Sequence, residues 1–138
     1  MICSMQKKQP DTRRIDYGKT GEAIAMAYLE QNGFEILETN YRTKMGEIDV
    51  IAKKSYIKRH KPNPETRIHF VEVKSRTNNK FMMGREAVTV AKQRTIRKVA
   101  EMYLLSQKLY NKIDVSFDVL EITGTAENHT IEYLAGCF

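Results

Sequence analysis

At 138 residues the chain is sized for a single domain, and its 41% apolar content is ordinary for one that folds around a core. A formal charge of +6 favours a polyanionic partner, nucleic acid first, although net charge speaks to association and not to fold. The two cysteines, Cys3 and Cys137, stand at opposite ends, which excludes a disulfide framework and a Cys-rich zinc site. No stretch approaches membrane-spanning length, so the expectation is a soluble, cytoplasmic protein with no membrane partner.

Residues 1–14 are polar and basic around Pro10 and lack the apolar core of a signal peptide. They are expected to form a flexible arm ahead of one domain over 15–138. From Tyr17 to Asn32 the pattern is helical, with Glu22, Ala25, Met26 and Leu29 at i, i+3, i+4 and i+7 and Gly33 as the stop. Glu22 therefore falls on the inward stripe. Two roles are open to it: complementing the positive helix end, or standing beside acids on the following strands.

Phe34 to Thr39 reads as a short strand, and Asn40-Tyr41-Arg42 leads to a turn at Met45-Gly46. Arg42 has a phosphate or a local acid as candidate partner. GEIDVIAK then forms a strand to about Lys53, and RIHFVEVKSR a second one ending at Arg76. Between them Ser55–Thr66 is a proline-containing loop holding Lys58, Arg59, His60 and Lys61, either a solvated charge run or a flap over nucleic acid. Thr77–Gly84 is expected near the mouth of any site on these strands. A helix is predicted from Thr89 to Leu109, with Ile96, Val99, Ala100 and Tyr103 facing inward. Its first half is basic through Lys92, Arg94, Arg97 and Lys98, and Gln93 is placed near the site by the helix start. Asp114–Ile122 is a strand with the acid Asp118 embedded in it, and Thr130–Leu134 suggests a final strand. The order predicts an α/β fold, a mixed sheet of four to five strands flanked by helices.

Alternation places Glu47 and Asp49 on one face of their strand, opposite Ile48 and Val50. On the next strand Phe70, Glu72, Lys74 and Arg76 share a face, opposite Val71, Val73 and Ser75. The plain explanation is a strand end reaching solvent with Asp49 capping a turn. The sharper one is a site, because carboxylates in a core strand need partners or a cation. Asp49 and Glu72, with the main-chain carbonyl of Val73, would hold Mg2+ or Mn2+ through hard oxygens. Lys74, on the same face as Glu72, would orient a water or stabilise charge on phosphorus. His60, His69 and His129 lack zinc spacing, and neither a GxxxxGK[ST] loop nor a GxSxG elbow occurs.

Gly18, Gly21-Glu22, Ala25, Tyr28-Leu29 and Gly33 open a series of motifs that continues with Asn40-Tyr41-Arg42 and Gly46-Glu47-Ile48-Asp49. Phe70-Val71-Glu72-Val73-Lys74 with Arg76, Glu86-Ala87-Val88, Lys92-Gln93 and Phe117-Asp118-Val119 complete it. In this order they resemble the YraN-type family, UPF0102, placed with restriction-endonuclease-like nucleases of the PD-(D/E)xK type. The resemblance covers nearly the whole chain. It implies an αβββαβ core, a site similar to that of archaeal Holliday-junction resolvases, and nuclease roles for Glu22, Asp49, Glu72 and Lys74. By the same analogy a homodimer is implied. Ser55–Thr66 is longer than usual in that family, and Ser116 stands where a basic residue is frequent.

The leading expectation is a Mg2+-dependent endonuclease acting on DNA, at branched or damaged structures, with Arg42, Arg76, Lys92, Gln93, Arg94 and Arg97 as nucleic-acid contacts. A binding protein that keeps the fold without cleavage is the alternative. A structural partner whose basic face meets an acidic protein is the third.

Overall fold

The computed structural model describes residues 17–76 and 88–138. The 1–14 arm, Cys3, Thr77–Gly84 and Glu86-Ala87 lie outside the described residues. The elements in chain order are α1 (Tyr17–Gln31), β1 (Glu35–Thr43), β2 (Gly46–Tyr56), β3 (Glu65–Arg76), α2 (Val90–Ser106), β4 (Asp114–Gly124) and β5 (His129–Leu134). The strands form one open sheet in the order β1-β2-β3-β4-β5, with β3 and β4 parallel and the other pairs antiparallel. A parallel pair needs a long crossover, and α2 supplies it. The result is the α/β arrangement of a restriction-endonuclease-like core, with β5 as its outer strand. No helix among the described residues is long and apolar enough to cross a membrane.

Each helix covers one face of the sheet. Ala25 and Leu29 of α1 pack on Val50, Ala52, Val71, Leu120 and Ile122. Ile96, Val99, Ala100, Tyr103 and Leu104 of α2 pack on Ile51, Ile68, Phe70 and Val119. The predicted inward stripe of α2 is thus buried in full, and that of α1 is buried at Ala25 and Leu29 with Glu22 and Met26 half-buried. Helix α1 ends with the Phe34 amide donating to the Leu29 carbonyl across Gly33, whose φ of 86° suits glycine.

The strands run further than alternation suggested. Asn40 has a φ of 49°, a conformation asparagine tolerates, yet it lies within β1, and the turn follows at Lys44-Met45. The sequence ends β2 at about Lys53. Instead Lys53 pairs with Glu35 at 3.1 Å, and the Lys54 ammonium lies 4.8 Å from the Phe34 ring centroid, so both cations are accommodated within β2. The β2–β3 connection therefore shortens to residues 57–64.

That loop sits at the opposite end of the hairpin from Asp49. The seven strand steps from Asp49 to Tyr56 span about 23 Å. Any contact that loop makes is therefore remote from Asp49. Lys58 lies 2.6 Å from Glu65, and Lys61 pairs with the same carboxylate, so half of the charge run fastens its own loop.

Candidate functional site

Asp49 sits where the sheet ladder is interrupted on both sides. The β2–β3 register runs from Tyr56–Glu65 to Val50–Val71 and stops; the next opposed pair would be Asp49 and Glu72. The β1–β2 register passes from Thr39–Val50 to Tyr41–Ile48, skipping Asn40 and Asp49. In place of a backbone carbonyl, Asp49 Oδ2 accepts the Val73 amide at 2.8 Å. The amide and carbonyl of a strand residue face the same edge, so the Val73 carbonyl borders the same gap. The interruption also shifts the alternation of faces. Ile48 joins the α2-side cluster and Val50 the α1-side cluster, which corrects the expectation that they share a face.

Glu72 is 5% exposed, and its Oε1 lies 3.6 Å from Lys74 Nζ and 3.5 Å from Lys92 Nζ. Lys92 is placed there by the start of α2. Thr89 caps that helix in an extended conformation, its side chain accepting the Lys92 amide at 3.1 Å. Asp49 is raised from 3.8 to about 6, chiefly by burial, then by the charge of Glu72, with the Val73 amide and Lys92 opposing; a hydrogen bond between the two carboxyls adds to the rise.

The sign of the linkage gives a first test. Between about pH 4 and 6 the folded chain holds a proton that the unfolded chain has released, so stability falls as pH rises through that window. Above it the cost is complete, on the order of 2–3 kcal/mol. Asp49→Asn should therefore raise the melting temperature at pH 7.5 by about 5–10 °C, with little gain at pH 4.5. Calorimetry at both pH values checks this; an equal gain at both, or none at pH 7.5, would contradict the assignment.

The other expected site residues divide. Glu22 lines a small cavity with Asp49, Met26, Thr39, Asn40 and Val50. It is carried toward β3 by Gly21, where an added Cβ would stand 2.2 Å from Ser75 Oγ. Glu22, Asp49 and Glu72 do not form a three-acid metal cluster among the described residues. Arg42 takes the acid rather than leaving its charge open: its Nε is 2.8 Å from Glu47, its cross-strand partner. Arg76 Nε lies 3.4 Å from buried Glu121. Gln93 donates its side-chain amide to the Val88 carbonyl, closing the start of α2. Arg94 and Arg97 are exposed, the latter with its guanidinium 4.9 Å from the Phe117 ring centroid.

Two features went unread in the sequence. Lys92, expected to meet phosphate, also has its ammonium 3.5 Å from Glu72, a pairing that the sequence does not reveal. Glu121 is the register partner of Lys74 and puts a third buried carboxylate on the α2 side, where its Oε1 has no hydrogen bond. The E-x-K spacing exposed Glu72 and Lys74; the parallel β3–β4 register, which nothing local encodes, decides that Glu121 joins them.

A family model described as uncharacterised protein family UPF0102 matches residues 21–122. A UPF0102 protein of Clostridium beijerinckii is 40% identical over 125 residues, covering 89% of this chain and 93% of the relative. One from Alkaliphilus metalliredigens is 40% identical over 121 residues, covering 88% and 96%. One from Clostridium botulinum strain Loch Maree is 36% identical over 125 residues, covering 89% and 94%.

Proposed function

The chain belongs to the uncharacterised protein family UPF0102, and from its paired carboxylates we propose that it is a metal-dependent endonuclease hydrolysing DNA phosphodiester bonds, with branched or damaged DNA as substrate. One observation carries this reading: where the sheet opens, Asp49 and Glu72 are near enough for the charge of one to act on the other, and two lysine ammonium groups lie on Glu72. A buried pair of acids, one held above its ordinary pKa, is unfavourable without compensation, which makes the pair a candidate functional site.

The donor set fits Mg2+ or Mn2+. It offers two hard carboxylates and the Val73 carbonyl, and such cations are commonly bound through one or two carboxylates with water and substrate oxygens completing the shell. A cation held there would polarise the scissile phosphate and acidify a bound water. The chain's own groups do the rest. The Val73 amide fixes Asp49, and Glu72 holds the Lys74 ammonium at the site mouth to orient the water or stabilise charge on phosphorus. Arg94, Arg97 and Lys98, exposed on α2, add positive potential along that helix.

A nucleic-acid-binding protein that does not cut is the second reading. It is favoured by the 3.5 Å contact of Lys92, since two ammonium groups compensate Glu72 without a cation. Incubation of linear, flap and four-way DNA with Mg2+ or Mn2+ separates the two. Cleavage that EDTA abolishes, and that Asp49→Ala and Lys74→Ala lose, supports the nuclease. Binding without turnover supports the second reading, and turnover equal in wild type and both variants points to a contaminant.

A further inference from the structure

The far end of the sheet carries a second charged site that the acid pair does not use. Lys54 of β2 and Arg67 of β3 are register partners, directly opposite each other. Like charges at opposed positions destabilise a sheet, so such a pair ordinarily has carboxylates beside it. Neither cation has an ion pair or hydrogen bond among the described residues, and both are only partly exposed. Asp114, the neighbour of Arg67 on β4, is exposed and makes no ion pair with it. Glu65 is taken up by Lys58 and Lys61.

Aromatic rings hold the two cations: the Lys54 ammonium is nearest the Phe34 ring, at 4.8 Å, and both cations reach the Tyr56 ring. The Lys54 ammonium lies 5.6 Å and the Arg67 guanidinium 5.1 Å from the Tyr56 centroid. The ring is itself fixed from below, its hydroxyl 2.8 Å from His69 Nε2, with His69 Nδ1 2.6 Å from buried Asp118. Two long cationic side chains are thereby positioned without neutralisation, which is how a receptor for an anion is preorganised.

We propose that Lys54 and Arg67 form a phosphate clamp for a nucleic-acid strand, remote from the acid pair and oriented by Tyr56. Five strand steps separate Asp49 from Lys54, about 17 Å, so the clamp would take a different phosphate from the one at the acids. The nucleic-acid identity of the ligand rests on the function proposed above; the clamp itself needs no metal. Arg59, exposed on the adjoining loop, extends the positive surface.

The test is fluorescence anisotropy of labelled duplex DNA against salt, in EDTA, for the full chain. Lys54→Met with Arg67→Met should lower the log–log salt slope by about 0.9, the value for one duplex phosphate, and weaken binding about tenfold near 0.1 M salt. The exchange Lys54→Arg with Arg67→Lys should restore the slope, and unchanged melting curves exclude misfolding. A slope unmoved by the double Met variant overturns the clamp while leaving the nuclease proposal standing. A lowered slope in a protein that never cuts upholds the clamp and removes the nuclease. Inorganic phosphate that shifts the Arg67 Nε resonance while the DNA slope stays fixed overturns the nucleic-acid assignment in favour of a free phosphate.

Discussion

Asp118→Ala is expected to lower stability by about 3–5 kcal/mol, the range for stripping one partner from a buried charged network. Against a total of about 5–15 kcal/mol for a domain, much of the population would be unfolded at 37 °C. The side chain is completely buried and accepts four hydrogen bonds. Oδ2 takes His69 Nδ1 at 2.6 Å and the Tyr133 hydroxyl; Oδ1 takes Ser116 Oγ at 2.6 Å and the Gly136 amide at 2.8 Å. Burial works to raise its pKa, but these donors outweigh it and hold the carboxyl below its ordinary 3.8. A depressed carboxyl contributes stability that is complete above the unfolded value and lost as pH falls through the folded one, so this contribution fails only under strong acid. Urea unfolding at pH 7 measures the loss, and a change below about 1 kcal/mol would show that water replaces the carboxylate without penalty.

Asp118→Asn separates charge from hydrogen bonding. Its amide must meet donors on whichever side it faces. Toward Gly136 it opposes a main-chain amide that cannot invert. Toward His69 it meets a ring that can change tautomer, leaving Nδ1 to accept and Nε2 to donate to Tyr56. The asparagine variant should therefore fold, be less destabilised than alanine, and show His69 protonated on Nε2 by nitrogen chemical shift. A fixed Nδ1–H tautomer in that variant would mean that Asp118 does not set the ring.

This network marks where the sequence stops being legible. Asp118 stood out as an acid inside an apolar strand, but its partners lie 49 residues back at His69 and 15 ahead at Tyr133, and no local period links them. Ser116 looked like a lost basic contact and proves to be one of the four donors. Local chemistry was readable: the 3.6-residue stripe that buries Ile96, Val99, Ala100 and Tyr103, the glycine stop after α1, and the parity that put Glu72 and Lys74 on one side. Register was not. Asp49 meets Glu72 because the ladder opens at that pair, and the same opening breaks the alternation between Ile48 and Val50. The basic loop is shorter than the sequence suggests for a related reason, since the lysines and tyrosine that lengthen β2 are held by rings and acids distant in sequence.

Under the proposed function, Glu72→Gln and Lys74→Met should each reduce the single-turnover cleavage rate by about 10²–10³, the usual loss when one preorganised electrostatic group is removed. They should do so by different routes. Glutamine at position 72 removes a charge from the donor pair and releases both Lys74 and Lys92, so calorimetric Mn2+ binding should weaken as well. Methionine at position 74 leaves both carboxylates in place, so Mn2+ binding should persist while the rate falls. Groups that act as one unit are not additive, so the double variant should be little slower than either single one. Mn2+ binding should also tighten as pH rises toward about 6, because the cation competes with the Asp49 proton and only the carboxylate serves as a hard ligand. Undiminished cleavage in Lys74→Met would remove the lysine from the chemistry. Mn2+ binding that survives Glu72→Gln unchanged would place the cation away from the acid pair, and the two ammonium groups would then be enough to explain why Glu72 is tolerated in the core.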